Sequence, residues 1–504
     1  MPIYRRMTIL ALAGLALAFV LAGCQFPGAT TGVYFTSPTN GTYIYSATHP
    51  ASVVVKGQLL GGIPDTFSMT LNGTVVTSTV PASTAFSQTV SLADGANSIV
   101  VTVTTAGVTK SATLDLYYPF LAFNDGQAAN VVMGQTNANT GAAATSQTGL
   151  SAPVGAAALI NGMLYIPDTG SNRIVGYTSV PTLAAGAAFN ILLGKPAGDW
   201  TNGTADTVSR TNVVGPAGVA SVPASSGGAS ALAAVDTQQN RVLIWAIAPT
   251  SSTTLPVAVV GQPGYYSTGH SCLASGLYHP MAAFEAGGKL IIADTGNNRV
   301  LIWNTVPSSG PALAPNLVLG QANFTSCDPN RNAGSPAANT LAQPSGVWTD
   351  GTHLVVADKD NNRVLIWNTF PTSNGQAADL VIGQADMTTG TAQPAAGVAG
   401  PPPVGTGLSG PFAVASNGNQ LFIADTGYNR VLVFDTLPTA DGATADRVLG
   451  QTDLTGTTAN SGGLTASSLS GPEGVSVYPA TSLQDGFVVV ADTGNNRELL
   501  YQRP

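Results

Sequence analysis

The sequence has 504 residues, more than one compact core usually holds, so several domains or a repeat architecture are expected. Charged residues make up only 8% of the chain and the net charge is −8, which argues against a charge-rich disordered protein and against a nucleic-acid binder. The 58 glycines and 33 prolines, beside 44% hydrophobic residues, predict an all-β fold with many turns.

Residues 1–23 have the pattern of a targeting signal. Arg5 and Arg6 precede an apolar stretch at 9–20 that is too short to span a bilayer. The sequence Leu21-Ala22-Gly23-Cys24 that follows resembles the lipobox of bacterial lipoprotein signal peptides. This resemblance implies cleavage before Cys24 and attachment of a lipid to its thiol, with residues 24–32 as a linker. An ordinary signal peptide with an incidental cysteine is the alternative.

The residue after the cysteine bears on localisation. Gln25 stands where an Asp would favour retention in the inner membrane of a Gram-negative cell. The resemblance therefore implies a lipid-anchored protein of the bacterial cell envelope, in the outer membrane or at the cell surface. We expect membrane contact through the N-terminal lipid only, because no later stretch has the roughly 18 apolar residues of a membrane span.

Residues 33–118 predict a β-sandwich, because short apolar strands alternate with turns. Asn72-Gly73 and Asp94-Gly95 are turn dipeptides whose residues tolerate positive φ. The order of these strands and turns resembles bacterial Ig-like modules of secreted proteins, although no cysteine pair lies within the segment. The resemblance implies a spacer, and ligand binding by this module is the less favoured alternative.

Residues 119–504 contain a sequence repeat. The segment Asp-x-x-x-Asn-Arg recurs at Asp spacings of 68, 58, 64, 67 and 67 residues. A Pro opens a short strand before each copy, apolar runs lead into the Asp and leave the Arg, and a further run ends in Gly-Gln or Gly-Lys. The first and last residues of the copies are Asp168/Arg173, Asp236/Arg241, Asp294/Arg299, Asp358/Arg363, Asp425/Arg430 and Asp492/Arg497.

Four short strands in each of six units predict a six-bladed β-propeller. The runs beside the Asp and Arg do not alternate, which is typical of strands buried on both faces between packed blades. The motif resembles the NHL repeat family, and Asp294-Thr295-Gly296-Asn297-Asn298-Arg299 is close to its signature. Because the first Gly-Gln run precedes the first Asp, residues 131–135 are expected to supply the outer strand of the last blade.

The six Asp–Arg pairs are interpreted as structural clamps of a turn, with a ring of acid–base groups as the alternative. Six equivalent copies argue for architecture, since an active site breaks symmetry. Each Arg is expected to bind the carboxylate or nearby carbonyls, and the Gly or Asn residues between them are expected to supply positive φ.

Cys272 and Cys327 are predicted to form a disulfide, because both fall in loops on one face and an oxidising compartment favours the bond. Two free thiols are the alternative. Metal binding by Cys272 with His270 and His279 is less favoured, because no thiol-rich cluster joins them.

The loops between outer and next inner strands are long, at 17, 20, 17, 22, 26 and 20 residues, and such loops often carry function. Three of them, 196–215, 263–279 and 322–343, contain aromatic residues that suit a protein, peptide or glycan ligand. These candidates for a binding face are Trp200, Tyr265, Tyr266, Tyr278 and Phe324. The alternative is that the rings pack the loops down.

Catalysis is less favoured than binding, and no cofactor or metal is expected. Some six-bladed propellers that resemble this chain are lyases or lactonases, whose ligands converge at one mouth of the central channel. Here the glutamates are Glu285, Glu473 and Glu498, and no set of three metal ligands emerges from neighbouring loops. No serine nucleophile elbow or phosphate loop is present in the sequence. A structural role in the envelope is the remaining alternative.

Overall fold

The computed structural model describes residues 31–44, 51–118, 120–180, 184–223, 230–311, 314–392, 405–479 and 486–502. Cys24 and the predicted signal peptide lie outside these residues. Contacts divide the chain into two units, of which the first falls within 1–42, 52–91 and 97–116, and the second within 43–51, 92–96 and 117–504. None of the helices among the described residues is long and apolar enough to cross a membrane.

The N-terminal strands form two antiparallel sheets, with strand orders β1-β3-β6 and β2-β8-β7-β4-β5. Asn72 and Gly73 both have positive φ in the turn from β4 to β5, as expected for a tight hairpin. The strands are β1 Gly32–Ser37, β2 Thr42–Tyr43, β3 Ser52–Leu60, β4 Thr66–Leu71, β5 Thr74–Thr77, β6 Ala85–Ser91, β7 Gly95–Thr105 and β8 Val108–Tyr118.

Alternation along these strands builds the core of the first unit. Phe67, Met69, Val101 and Val103 are buried, while the residues between them are more exposed. Gly57 is required by packing, because a Cβ at this position would lie 2.2 Å from the Phe86 ring. The pattern of one buried and one solvated face is the usual one for antiparallel sheets.

The second unit contains six four-stranded antiparallel sheets among its described residues, each running from an inner to an outer strand. A short fifth strand, β21 (Gly310–Pro311), pairs with the outer strand of the second sheet. In order, the sheets are β10 Ala158–Ile160, β11 Met163–Asp168, β12 Arg173–Tyr177, β13 Ile191–Leu193; β14 Pro216–Pro223, β15 Ser230–Asp236, β16 Arg241–Ile244, β17 Ala258–Val260; β18 Ala282–Ala286, β19 Lys289–Asp294, β20 Arg299–Trp303, β22 Leu317–Leu319; β23 Pro344–Thr349, β24 Leu354–Asp358, β25 Arg363–Trp367, β26 Leu380–Ile382; β27 Pro411–Ser416, β28 Leu421–Asp425, β29 Arg430–Phe434, β30 Arg447–Leu449; and β31 Gly474–Tyr478, β32 Phe487–Asp492, β33 Arg497–Gln502 with β9 Val131–Met133.

The last sheet closes the ring, because its outer strand β9 comes from the start of the unit. Leu499 pairs with Val132 and Leu500 with Val131 in an antiparallel register. The prediction that residues 131–135 supply this strand is thus confirmed. Closure leaves no sheet edge open between the first and last repeats, and the second unit is a β-propeller.

Successive sheets pack face to face, which explains the continuous apolar runs in the sequence. Ile291 and Val300 of the third sheet share a buried cluster with Val347 and Val356 of the fourth. A three-residue 3-10 helix connects the second and third strands of each sheet, and a four-residue one lies in the loop before β23. These helices are Thr169–Ser171, Thr237–Gln239, Thr295–Asn297, Lys359–Asn361, Thr426–Tyr428, Thr493–Asn495 and Pro329–Asn332.

Candidate binding site

The six predicted Asp–Arg pairs all form buried ion pairs. In the third sheet, Asp294 Oδ2 accepts a hydrogen bond from Arg299 Nε at 2.7 Å, and both side chains are fully buried. The remaining guanidinium N–H groups donate to loop carbonyls, including those of Phe324 and Gly276. The other five pairs repeat the contact at 2.6–2.7 Å, at Asp168/Arg173, Asp236/Arg241, Asp358/Arg363, Asp425/Arg430 and Asp492/Arg497.

Each motif also holds the start of the next inner strand. Asp294 Oδ1 accepts a hydrogen bond from the Tyr278 amide, and Asn298 Oδ1 accepts one from the Gln343 amide of the following repeat. The Asn before each Arg has φ between 50° and 54°. The expectation that Gly or Asn supplies positive φ therefore holds for Asn, whereas Gly296 is required for space, because a Cβ would lie 2.5 Å from the Tyr278 ring.

Burial removes these carboxyl groups from acid–base chemistry with a solvent-borne substrate. It raises the pKa of Asp294 to about 6, while the Arg299 charge and the amide bonds lower it. The carboxylate is therefore ionised at neutral pH and fully bonded within the protein. The geometry is that of a clamp on the loops.

The glutamine that ends each outer strand belongs to the same network, which sequence reasoning missed. Gln321 Nε2 donates to the carbonyls of Asn298 and Asp328, so it ties the motif to the outgoing loop. Lys195 takes the place of this glutamine after the outer strand of the first sheet. Its amine donates to the Thr204 carbonyl and to Asp206 Oδ2. The recurrence of glutamine at this repeat position was the sequence signal that could have indicated the role. The equivalent residues are Gln135, Gln262, Gln384 and Gln451.

Three of the five aromatic candidates occupy equivalent places in this network. The carbonyls of Trp200, Tyr265 and Phe324 each accept a hydrogen bond from the clamp arginine of their own repeat. Their side chains pack against the hydrophobic clusters between sheets. Tyr265 also lies under the Arg210 guanidinium, 4.5 Å from its ring centroid. The structure thus places these three rings in the packing of the loops, as the alternative interpretation expects.

The other two aromatic candidates differ from each other. Tyr278 is half-buried and its ring centroid lies 4.5 Å from that of His270. Tyr266 is 72% exposed, and Leu273 in the same loop is 62% exposed. Tyr266 is therefore the candidate that presents its ring to solvent.

The predicted disulfide is confirmed. Cys272 and Cys327 are bonded, with their Cα atoms 6.1 Å apart. The bond joins loops 263–279 and 322–343. The exposed Tyr266 and Leu273 lie in the first of these loops. No cluster of three or more metal-ligating side chains occurs within the described part of the chain.

A cavity of about 280 Å³ lies where the six inner strands meet. Each of the six sheets contributes residues to its wall, so it is the central channel of the propeller. Most of the wall consists of small residues, including Ala157, Ala220, Ala413 and Ala415. Such a lining leaves room for a small organic molecule.

Two neighbouring sheets break the symmetry of this wall. Counted from the opening Pro of each repeat, the fourth residue is Ala or Ser in four sheets but Phe284 in the third and Trp348 in the fourth. Their ring centroids are 6.4 Å apart with an angle of 55° between the planes. The four small equivalents are Ala157, Ala220, Ala415 and Ser476.

The next position brings a carboxyl group to the same cavity, from the opposite face of the third sheet. Glu285 lines the cavity, whereas its equivalents include Ala158, Ser221, Ser416 and Val477. Its Oε1 accepts a hydrogen bond from the Gly288 amide at 2.7 Å. Burial raises the pKa of Glu285, and the Gly288 bond opposes this. Glu285 lies beside the β18–β19 turn, at the end of the strands opposite the Asp–Arg motifs.

Neither of the other glutamates lines this cavity. Glu473 follows the opening Pro472, and burial raises the pKa of its carboxyl while the Lys359 charge lowers it. Glu498 is fully buried in β33, and its Oε1 has no hydrogen-bond partner among the described residues. Phe284, Glu285 and Trp348 thus line one cavity, and the other two glutamates do not.

No family model and no curated protein matches the sequence. Among solved structures, an auxiliary nutrient binding protein from Bacteroides thetaiotaomicron is similar with a TM-score of 0.40 and 10% identity, over 94% of this chain and 98% of that one. The PQQ-bound form of an aldose sugar dehydrogenase from Streptomyces coelicolor has a TM-score of 0.40 and 15% identity, over 75% and 99%. At these TM-scores the likenesses carry no argument about function.

Proposed function

We propose that this chain is a ligand-binding protein of the bacterial envelope whose central channel holds a small organic molecule. In this proposal Cys24 carries the lipid, residues 24–32 are a linker, and residues 33–118 are an Ig-like spacer. Residues 119–504 then form a six-bladed NHL-type propeller that presents the site. The sequence motifs support the anchor and the spacer, and the sheet order supports the propeller.

The observation that carries the binding site is the local loss of repeat symmetry. The Asp–Arg motif is kept in all six sheets, as structural parts of a repeat protein are. In the channel, by contrast, Phe284, Glu285 and Trp348 replace small residues on two adjacent sheets. A pocket with an aromatic wall and one polar group is suited to bind and orient a ligand.

Calorimetric titration with indole, 2-naphthol and cyclohexanol tests the channel. We expect the aromatic probes to bind, and Trp348→Leu to weaken them by at least about tenfold, because a stacking surface is lost. Trp367→Leu is the matched control, since Trp367 is buried in the same sheet but does not line the cavity. Circular dichroism would verify that both variants are folded. Lack of binding by all three probes would refute the channel site.

The loop face is a second candidate, favoured by the exposure of Tyr266 and Leu273 beside the disulfide. Here a protein, peptide or glycan of the envelope would be the partner. Affinity capture from envelope extract with the Tyr266→Ala/Leu273→Ala variant tests it. We expect loss of a partner that wild type retains, with an unchanged melting temperature. Equal capture by wild type and variant would exclude these two side chains from recognition.

The anchor is tested separately, by incorporation of labelled palmitate in a bacterial host. We expect label on the wild-type chain and none on Cys24→Ser. Label on the variant, or its absence from wild type, would refute lipidation at Cys24 whatever the channel binds.

A further inference from the structure

The charge of the channel wall indicates which molecules it can bind. Among the described residues that line it, Glu285 is the one carboxyl group, and no Lys, Arg or His is present. The nearest lysine in sequence, Lys289, places its amine 5.3 Å from the ring centroid of Phe370. An ionised Glu285 therefore has no cationic side chain on the cavity wall to neutralise it.

Several polar side chains of the wall are hydrogen-bonded to backbone carbonyls of other wall residues. The Ser476 and Tyr478 hydroxyls both donate to the Ala157 carbonyl, at 3.0 and 2.9 Å. Ser345 Oγ donates to the Phe412 carbonyl at 2.7 Å. Glu285 Oε1 accepts the Gly288 amide, and a carboxylate can accept further hydrogen bonds at both oxygens. Glu285 is thus a charged acceptor on the channel wall with capacity for a ligand.

A cavity that is lined by an acceptor carboxylate and by two aromatic rings matches a cation. The faces of Phe284 and Trp348 carry negative quadrupole charge, so they attract an ammonium group or stack with a ring attached to it. A carboxylate adds a charge-assisted hydrogen bond to the same group. An anionic ligand would find neither a cationic side chain nor a helix terminus among the described residues of this wall.

Resting on the proposed channel site, we propose that its ligand is a small primary amine with an aromatic or bulky apolar body. The body lies against Phe284 and Trp348, and the ammonium group donates hydrogen bonds to Glu285. The small residues elsewhere on the wall, such as Ala157 and Ala413, leave the space that the body fills.

Three probes with one ring system and different charges test the inference: tryptamine, indole and indole-3-acetate. We expect tryptamine to bind about ten- to a hundredfold more tightly than indole, and indole-3-acetate to bind most weakly. Glu285→Gln keeps the size of the side chain and should lower the affinity for tryptamine to that for indole in the same variant. Calorimetry at moderate salt measures all three on the full chain.

The outcomes separate this inference from the proposed function. If all three probes bind equally to wild type, the channel site stands and the amine preference is refuted. If tryptamine keeps its advantage in Glu285→Gln, Glu285 is not the group that recognises it. If none of the probes binds, both the channel site and its ligand class fall together.

Discussion

The clamps and the channel of the propeller are built from the same six repeats, yet they differ in symmetry. Every clamp has the same Asp–Arg contact, the same left-handed Asn and the same bond to the next repeat. The channel takes one strand from each repeat, but two sheets carry Phe284, Glu285 and Trp348 where others have small residues. Uniform positions are those the fold requires, and in the proposed function the departures within the channel form the ligand site.

Removing the closing strand should have the largest effect on the fold that supports both regions. Without residues 120–136, β33 loses its partner and exposes an edge, so we expect aggregation in place of a cooperative monomer. Size-exclusion chromatography and thermal unfolding measure this. Appending the β9 sequence after Gln502 by a short turn should restore folding, because Gln502 N lies 2.8 Å from Asn130 Oδ1. A soluble, cooperative deletion variant would contradict the closure.

Arg299→Ala should break one clamp while leaving the channel wall intact. The substitution leaves Asp294 buried without its partner, so the free energy of unfolding is expected to fall by about 3–5 kcal/mol. Urea denaturation measures the change, and Arg210→Ala, on a partly exposed arginine, is the control. Indole binding by the folded fraction should be retained. An unchanged unfolding midpoint would show that the clamp contributes no stability.

The disulfide adds a constraint that the symmetric clamps lack. A bond across 55 residues is expected to stabilise the chain by about 2–4 kcal/mol, so Cys272→Ser/Cys327→Ser should melt at a lower temperature under oxidising conditions. Under reducing conditions the difference between the two proteins should vanish. Intact mass after alkylation provides the independent check, because two alkylated thiols in native wild type would refute the bond.

Glu498 sharpens the comparison, since it is a departure from symmetry that lies outside the channel. Burial holds the pKa of its carboxyl well above the ordinary value, with the Asp492 charge adding to the shift. A raised pKa in the folded state means that the stability it contributes is lost as pH rises. Four equivalent positions carry Val: Val242, Val300, Val364 and Val431.

We therefore expect Glu498→Val to raise the free energy of unfolding by about 1–3 kcal/mol at pH 7. It should also flatten the decline of wild-type stability above about pH 4.3, the ordinary glutamate value. Denaturation curves between pH 5 and pH 8 measure both effects. A less stable Val variant would show that the carboxyl group has a favourable partner. The presence of Glu at position 498, where four other repeats have Val, would then need a functional explanation.

Much of the architecture could be predicted from the sequence because the same residues recur at equivalent positions of the six repeats. The six motifs, the Pro before each inner strand and the unpaired Gly-Gln run before the first Asp were sufficient for the sheet order and the closure. The disulfide followed from two loops that the topology places on one face. Cys24 and its lipid remain a prediction, because the residue lies outside the described part of the chain.

The side-chain directions were harder to predict. The composition of the loops made Tyr265 and Phe324 candidates for a binding surface. Both lie three residues after the repeat glutamine, so they occupy the same repeat position. Their equivalents are Met387, Leu454 and Ala138, and a hydrophobic residue that recurs at one repeat position indicates packing. Trp200 was hidden by a two-residue insertion after Lys195. Phe284 and Trp348 become visible only when the six opening prolines are aligned.

The anchoring of the loops at both ends has a consequence for how this surface can change. Gln321 and Arg299 hold the beginning of loop 322–343, and Asp358 and Asn298 hold its end through the amides of Ala342 and Gln343. The six equivalent loops range from 17 to 26 residues although the Asp and Asn contacts to the end of the loop recur in each repeat, so the length before these contacts can differ between repeats. The loops on this face can thus differ in sequence one at a time, because the channel wall is built from the inner strands and not from these loops.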